Sequence, residues 1–128
     1  MPIEAIIPPS PPPALAPYSA ATKAGGFIYV SGTVAMGPKG ESLGEGDARE
    51  QTRIVIESIK ATIEVGGGTL KNVVFNQIFL KDLKDYAKFN EVYREYWTDH
   101  LPARYCIQAE LVRPEFLVEI ATTAYVGP

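Results

Sequence analysis

The stretch LPARYCIQAELVRPEFLVEIATTAYV, residues 101–126, decides the architecture. Strand alternation puts Tyr105, Ile107, Ala109 and Leu111 on one face of its first half and Arg104, Cys106, Gln108 and Glu110 on the other. The apolar set is expected to face the core, which leaves a guanidinium and a thiol side by side on the opposite face. Arg113-Pro114-Glu115 is turn chemistry, and FLVEIATTAYV, 116–126, is expected to return as an antiparallel partner. That hairpin would bring Arg104, Cys106 and Glu119 to one end of the sheet. Glu119 stands mid-strand between Val118 and Ile120, where an unpaired carboxylate is costly. Two readings stay open: a functional site, or a buried structural ion pair between Arg104 and Glu119.

Upstream of this stretch, the spacing predicts a helix over 83–97 with an aromatic stripe of Tyr86, Phe89, Tyr93, Tyr96 and Trp97, and Asn90 lies inside that stripe. Before it, NVVFNQIFLKD reads as a strand with Val74, Ile78 and Leu80 on one face and Val73, Phe75 and Phe79 on the other. Asp47 and Glu50 stand at capping-box spacing ahead of Thr52, Val55, Ile56, Ile59 and Ile63, which recur at helical intervals until the glycines at 66–68. GGFIYVSGTVAM, 25–36, reads as a strand with Ile28 and Val30 set against Phe27, Tyr29 and Ser31. A short strand-like IEAII precedes residues 8–17, a proline-rich segment expected to run as an extended surface arm. The order β, β, α, β, α, β, β indicates a single α+β domain over 1–128, with helices on one face of a mixed sheet. Several strands are apolar on both faces, so the uncovered face is expected to be buried by self-association into a closed cyclic oligomer.

Composition narrows the functional classes. The chain has 128 residues and a formal charge of -3, which supplies no broad basic field for nucleic acid. No apolar run is long enough to span a bilayer, and MPIEAII lacks a basic flank followed by a signal region, so a cytoplasmic protein without a membrane partner is expected. One cysteine and one histidine, His100, form no metal-ligating cluster.

Single motifs are weak. Ser31 lies in VSGT without a nucleophile elbow and reads as a turn serine or a ligand contact. The glycines of VGGGTL follow a helix and stop it. Cys106 has no base beside it and reads as a small hydrophobe, and Asn90 as a polar residue tolerated at a helix margin.

Taken together, APY, VSGT, NEVY, PARYCIQ and LVEIA resemble the Rid (YjgF) family of enamine and imine deaminases over essentially the whole chain. RYCIQ and LVEIATTA look most like its RutC branch, associated with 3-aminoacrylate in pyrimidine catabolism. Tyr18, in LAPY, is the departure, because RutC-type chains often carry phenylalanine there. The resemblance implies a chorismate-mutase-like, two-layer fold with two helices on one sheet face, and a homotrimer with pockets between subunits. It implies that Arg104 grips the substrate carboxylate, that the Cys106 segment lines the pocket and that Glu119 handles water, with Tyr18, Ser31, Gly32 and Asn90 at surrounding positions. No cofactor or metal is implied. The expected partner is a small carboxylate-bearing enamine or imine. The lead function is a RutC-like 3-aminoacrylate deaminase, and the alternatives are a RidA-like 2-iminopropanoate deaminase and a non-catalytic, carboxylate-sensing trimer.

Overall fold

The computed structural model describes residues 2–127. The first helix, α1, spans Ala48–Val65. Asp47 caps it in extended conformation, and its carboxylate accepts from the Glu50 backbone N–H at 3.0 Å. Such a cap stabilises a helix by about 1 kcal/mol. Thr52, Val55, Ile56, Ile59 and Ile63 are all buried, as their spacing predicts. The helix ends at the glycines: Gly67 adopts φ +95°, and a Cβ on Gly66 would collide with Ile28 and Ile6. The second helix, α2, covers Tyr86–Tyr96. It begins later than its stripe suggests because Leu83–Asp85 forms a separate 3₁₀ turn capped by Asp82.

Six strands form one mixed sheet: β1 Glu4–Ile6, β2 Ala21–Ala24, β3 Phe27–Thr33, β4 Val73–Leu80, β5 Ala103–Gln108 and β6 Val118–Tyr125. Their spatial order is β1-β2-β3-β6-β4-β5, and among these neighbours β4–β5 is the one parallel pair. Strand β2 escaped the sequence reading. Its signal is Gly25-Gly26, a two-residue hairpin loop with Gly25 at φ +59° that joins Ala24 to its register partner Phe27. Residues 7–20 carry neither helix nor strand.

The expected hairpin between the last two strands does not form. The turn is present, with Phe116 N–H donating to Arg113 C=O at 3.2 Å, but β6 passes over β4 and inserts between β3 and β4. The reason is the helix between β4 and β5: a βαβ crossover lays β5 parallel beside β4, and β6 then fills the gap left between two parallel strands, β3 and β4.

Both helices cover one face of the sheet. Ile28, Val30, Ile78, Leu80, Val118, Ile120 and Ala124 meet Val55, Ile56, Ile59, Ile63, Phe89 and Trp97 in the core. A register shift between Val73 and Phe75 places Val73 in the core and leaves Val74 exposed, the reverse of strict alternation. The opposite sheet face is open. It carries Phe27, Tyr29 and Tyr125 at one end and Phe75, Phe79 and Tyr105 in edge-on contacts at the other. No helix among the described residues is long and apolar enough to cross a membrane.

Candidate active site

Strand β5 is turned over relative to expectation. Tyr105 and Ile107 lie on the open face, 40% and 47% exposed, while Arg104 and Cys106 face the helix layer. The register explains this: Arg104 is paired with Asn76, which is fully buried on the core side of β4. As the edge strand, β5 receives cover only from α2, so its inward residues end half-buried.

Arg104 is held from three directions. Its Nη2 donates to Asn90 Oδ1 at 2.8 Å and to Tyr86 OH at 3.2 Å. The guanidinium carbon lies 4.8 Å from the centroid of the Tyr93 ring, with Tyr86 and Phe89 at 5.8 and 5.9 Å. Helix α2 makes this possible, because residues 86, 89, 90 and 93 recur on one helical face. Nη1 and Nε have no hydrogen-bond partner among the described residues. Arg104 lines a concavity of about 410 Å³ together with Asn90, Tyr93, Arg94, Trp97, Leu101 and Pro102. A guanidinium fixed on one side and open on the other has the geometry to accept a planar carboxylate.

Glu119 is elsewhere. On β6, Val118, Ile120 and Thr122 point into the core, so Glu119 projects from the open face. Arg104 and Glu119 therefore lie on opposite sides of the sheet within one chain, and no ion pair joins them among the described residues. Glu119 sits against Gly32. There β3 bulges, so that Ser31 and Gly32 together span the single Ala121 between the pairs Val30–Thr122 and Thr33–Ile120. A Cβ on Gly32 would meet Glu119 Cδ at 3.1 Å and the carboxylate oxygen closer still, so a side chain at position 32 would displace the carboxylate from this seat. Burial pushes the Glu119 carboxyl above the usual carboxylate range, with no counter-charge to pull it back.

Ser31 and Tyr18 belong to the Gly32 side. Ser31 Oγ donates to Ser19 C=O at 2.6 Å, tying the end of the proline-rich arm to the bulge. Tyr18, Ser31 and Gly32 border a cavity of about 320 Å³ beneath that arm. Cys106 shares the face of Arg104 but does not line the concavity; burial raises its thiol pKa, and the Arg104 charge offsets this only in part. The candidate residues thus form two groups: Arg104, Asn90 and Cys106, and separately Glu119, Gly32, Ser31 and Tyr18.

The sequence reading did not single out Tyr86 and Tyr93 as site residues. Both sit in the aromatic stripe, and a stripe alone reads as core. The usable signal was their spacing around Asn90.

The family model described as endoribonuclease L-PSP matches residues 9–126. The chain belongs to that family. Among curated relatives, the 3-aminoacrylate deaminase RutC of Acinetobacter baylyi is 49% identical over 98% of this chain and 100% of its own. YyfA of Yersinia pestis, a protein of unknown function in the conserved Rid family, superposes with a TM-score of 0.89 at 30% identity, over 97% of this chain and 99% of that one. TdcF of E. coli with bound serine superposes with a TM-score of 0.86 at 28% identity, over 95% of this chain and 98% of that one. The Rid resemblance and the YjgF-type fold are thereby established.

Proposed function

We propose that this protein is a cofactor-free deaminase of a small enamino acid, with 3-aminoacrylate as its substrate, acting in the cytoplasm as a homotrimer. The observation that carries the reading is the pre-organised Arg104, which has free donors and lines a concavity with no carboxylate among its lining residues. The likeness to a protein named 3-aminoacrylate deaminase supports the substrate.

The division of the site supports the assembly. Arg104 and Glu119 can act on one molecule only if the Arg104 side of one subunit meets the Glu119 side of the next. A closed ring repeats that junction and covers the apolar open face as well. In such a pocket Arg104 binds the substrate carboxylate. Proton transfer to C2 of the enamine gives the C3 iminium, water adds to C3, and the carbinolamine loses ammonia to leave the aldehyde. Glu119, whose pKa burial raises, is the acid placed to deliver that proton and recover it through water. The enamine is already reactive, so orientation and proton transfer suffice.

A ribonuclease reading gains little from the geometry. The only histidine, His100, is engaged by its Nε2 with the Val73 carbonyl at 2.6 Å.

Subunit mixing tests the proposal. Arg104→Ala and Glu119→Gln trimers should each release no ammonia above buffer. After unfolding and refolding together in equal amounts, random trimers should recover about one quarter of wild-type turnover, because each mixed ring holds one intact junction. Wild-type protein that releases no ammonia from 3-aminoacrylate would refute the activity. Active wild type with no recovery on mixing would refute the shared pocket.

A further inference from the structure

We propose that Asn76 is a positioning residue for Arg104, acting through Tyr93. The inference rests on the role of Arg104 as the carboxylate receptor.

One row of the sheet carries the argument. Thr122 on β6, Asn76 on β4 and Arg104 on β5 are successive register partners, all on the helix side. Thr122 and Asn76 are 2% and 0% exposed, in a core whose neighbouring row on the same strands is Ile120 and Ile78. An aliphatic pair would pack there with no polar group to satisfy, whereas a buried amide or hydroxyl left unpaired is costly. Neither residue leaves a buried side-chain polar atom without a partner among the described residues. Thr122 Oγ1 and Asn76 Oδ1 are 2.7 Å apart, and Asn76 Nδ2 donates to Tyr93 OH at 2.9 Å. The chain ends at the ring on which the Arg104 guanidinium lies, 4.8 Å from its centroid.

Anchoring the hydroxyl fixes what packing alone leaves loose. Tyr93 packs against Phe89 and Trp97, with ring centroids at 5.5 and 4.6 Å, and a phenyl ring at 93 would keep those contacts while remaining free to tilt. A tilt moves the platform beneath the guanidinium and loosens its reach to Asn90. Burial raises the Tyr93 pKa, opposed by the Asn76 hydrogen bond and the Arg104 charge, so the hydroxyl stays protonated and neutral under the cation. Asn76 thereby sets the receptor without touching substrate, and its loss should appear in binding rather than in the proton chemistry at Glu119.

A double-mutant cycle on the full-length protein tests this, with propanoate as an unreactive carboxylate probe. Asn76→Leu and Tyr93→Phe should each weaken propanoate binding, followed by NMR titration, about fivefold, and raise KM for the enamine alike with kcat little changed. The double variant should bind no worse than the weaker single variant. Thr122→Val, nearly isosteric, reads the same cycle from the other end if Asn76→Leu does not fold, and its smaller loss should likewise vanish in the Tyr93→Phe background. Additive losses in either cycle would overturn the inference. So would variants that melt earlier yet bind propanoate as wild type does, or wild-type protein that does not bind propanoate. Coupled binding in a protein that releases no ammonia would refute the deaminase reading alone, and additive binding in an active enzyme would refute this inference alone.

Discussion

Replacing Arg104 with lysine keeps the charge and removes the planar fork. Nη2 is committed to Asn90 and Tyr86, and Nη1 and Nε are without a partner among the described residues and so open to a substrate carboxylate in the proposed site. A lysine presents three donors on one nitrogen, so it cannot hold Asn90 and grip a carboxylate from both sides. One charge-assisted hydrogen bond is lost, and at about 1.5–3 kcal/mol this lowers kcat/KM by about one to two decades. Stability should change little. Arg104 has no carboxylate partner among the described residues, and its ring contacts are partly kept by an ammonium, so the melting temperature should move by no more than about 5 °C. The assay is ammonia release from 3-aminoacrylate generated in place, read beside thermal melting. Full activity in folded Arg104→Lys would refute the clamp. A large melting shift with activity intact would return Arg104 to a purely structural role.

Three further outcomes follow from the same geometry. Glu119→Gln should bind propanoate yet release ammonia no faster than buffer. Because burial raises the Glu119 pKa above its ordinary 4.5, the folded state prefers the protonated form. The stability this supplies is full below pH 4.5 and is lost as pH rises through the raised value. Glu119→Gln should therefore melt above wild type at pH 7, with the gap closing below pH 4.5; a gap that widens on acidification would contradict the burial argument. Gly32→Ala forces the Glu119 carboxylate aside, so kcat should fall about 10- to 100-fold while propanoate binding persists, and unchanged kcat would remove Glu119 from its seat over Gly32. Cys106→Ala should keep most of its activity, since a thiol with a raised pKa is a poor nucleophile; a loss as deep as that of Arg104→Ala would mean covalent catalysis.

Helix α1 was legible residue by residue, because cap, stripe and glycine stop all act locally. The same holds for β3, where Ile28 and Val30 are core and Phe27 and Tyr29 are not. The errors lie where partners are distant in sequence. Alternation shows that Arg104 and Tyr105 face opposite ways, but not which side the helices cover. On the edge strand β5 the apolar residues are the exposed ones, because the open face is itself apolar. The bulges at Val73–Phe75 and Ser31–Gly32 shift the alternation by one residue, and only the pairing with β6 reveals them.

The hairpin error bears most directly on function. A turn at Arg113–Phe116 is compatible with β6 lying beside β5 or two strands away, and local chemistry does not choose between them. Adjacent strands would have made Arg104 and Glu119 neighbours and an internal ion pair reasonable. With β4 between β5 and β6, and with the two side chains on opposite faces, neither can neutralise the other inside one chain. Each is left with unused capacity: Arg104 with open donors, and Glu119 with a carboxyl that burial holds toward its neutral form. A monomer would carry both features at a cost and with no return. The proposed ring of identical subunits would turn them into one site, repeated at each junction, where the cation would bind the substrate and the acid move its proton.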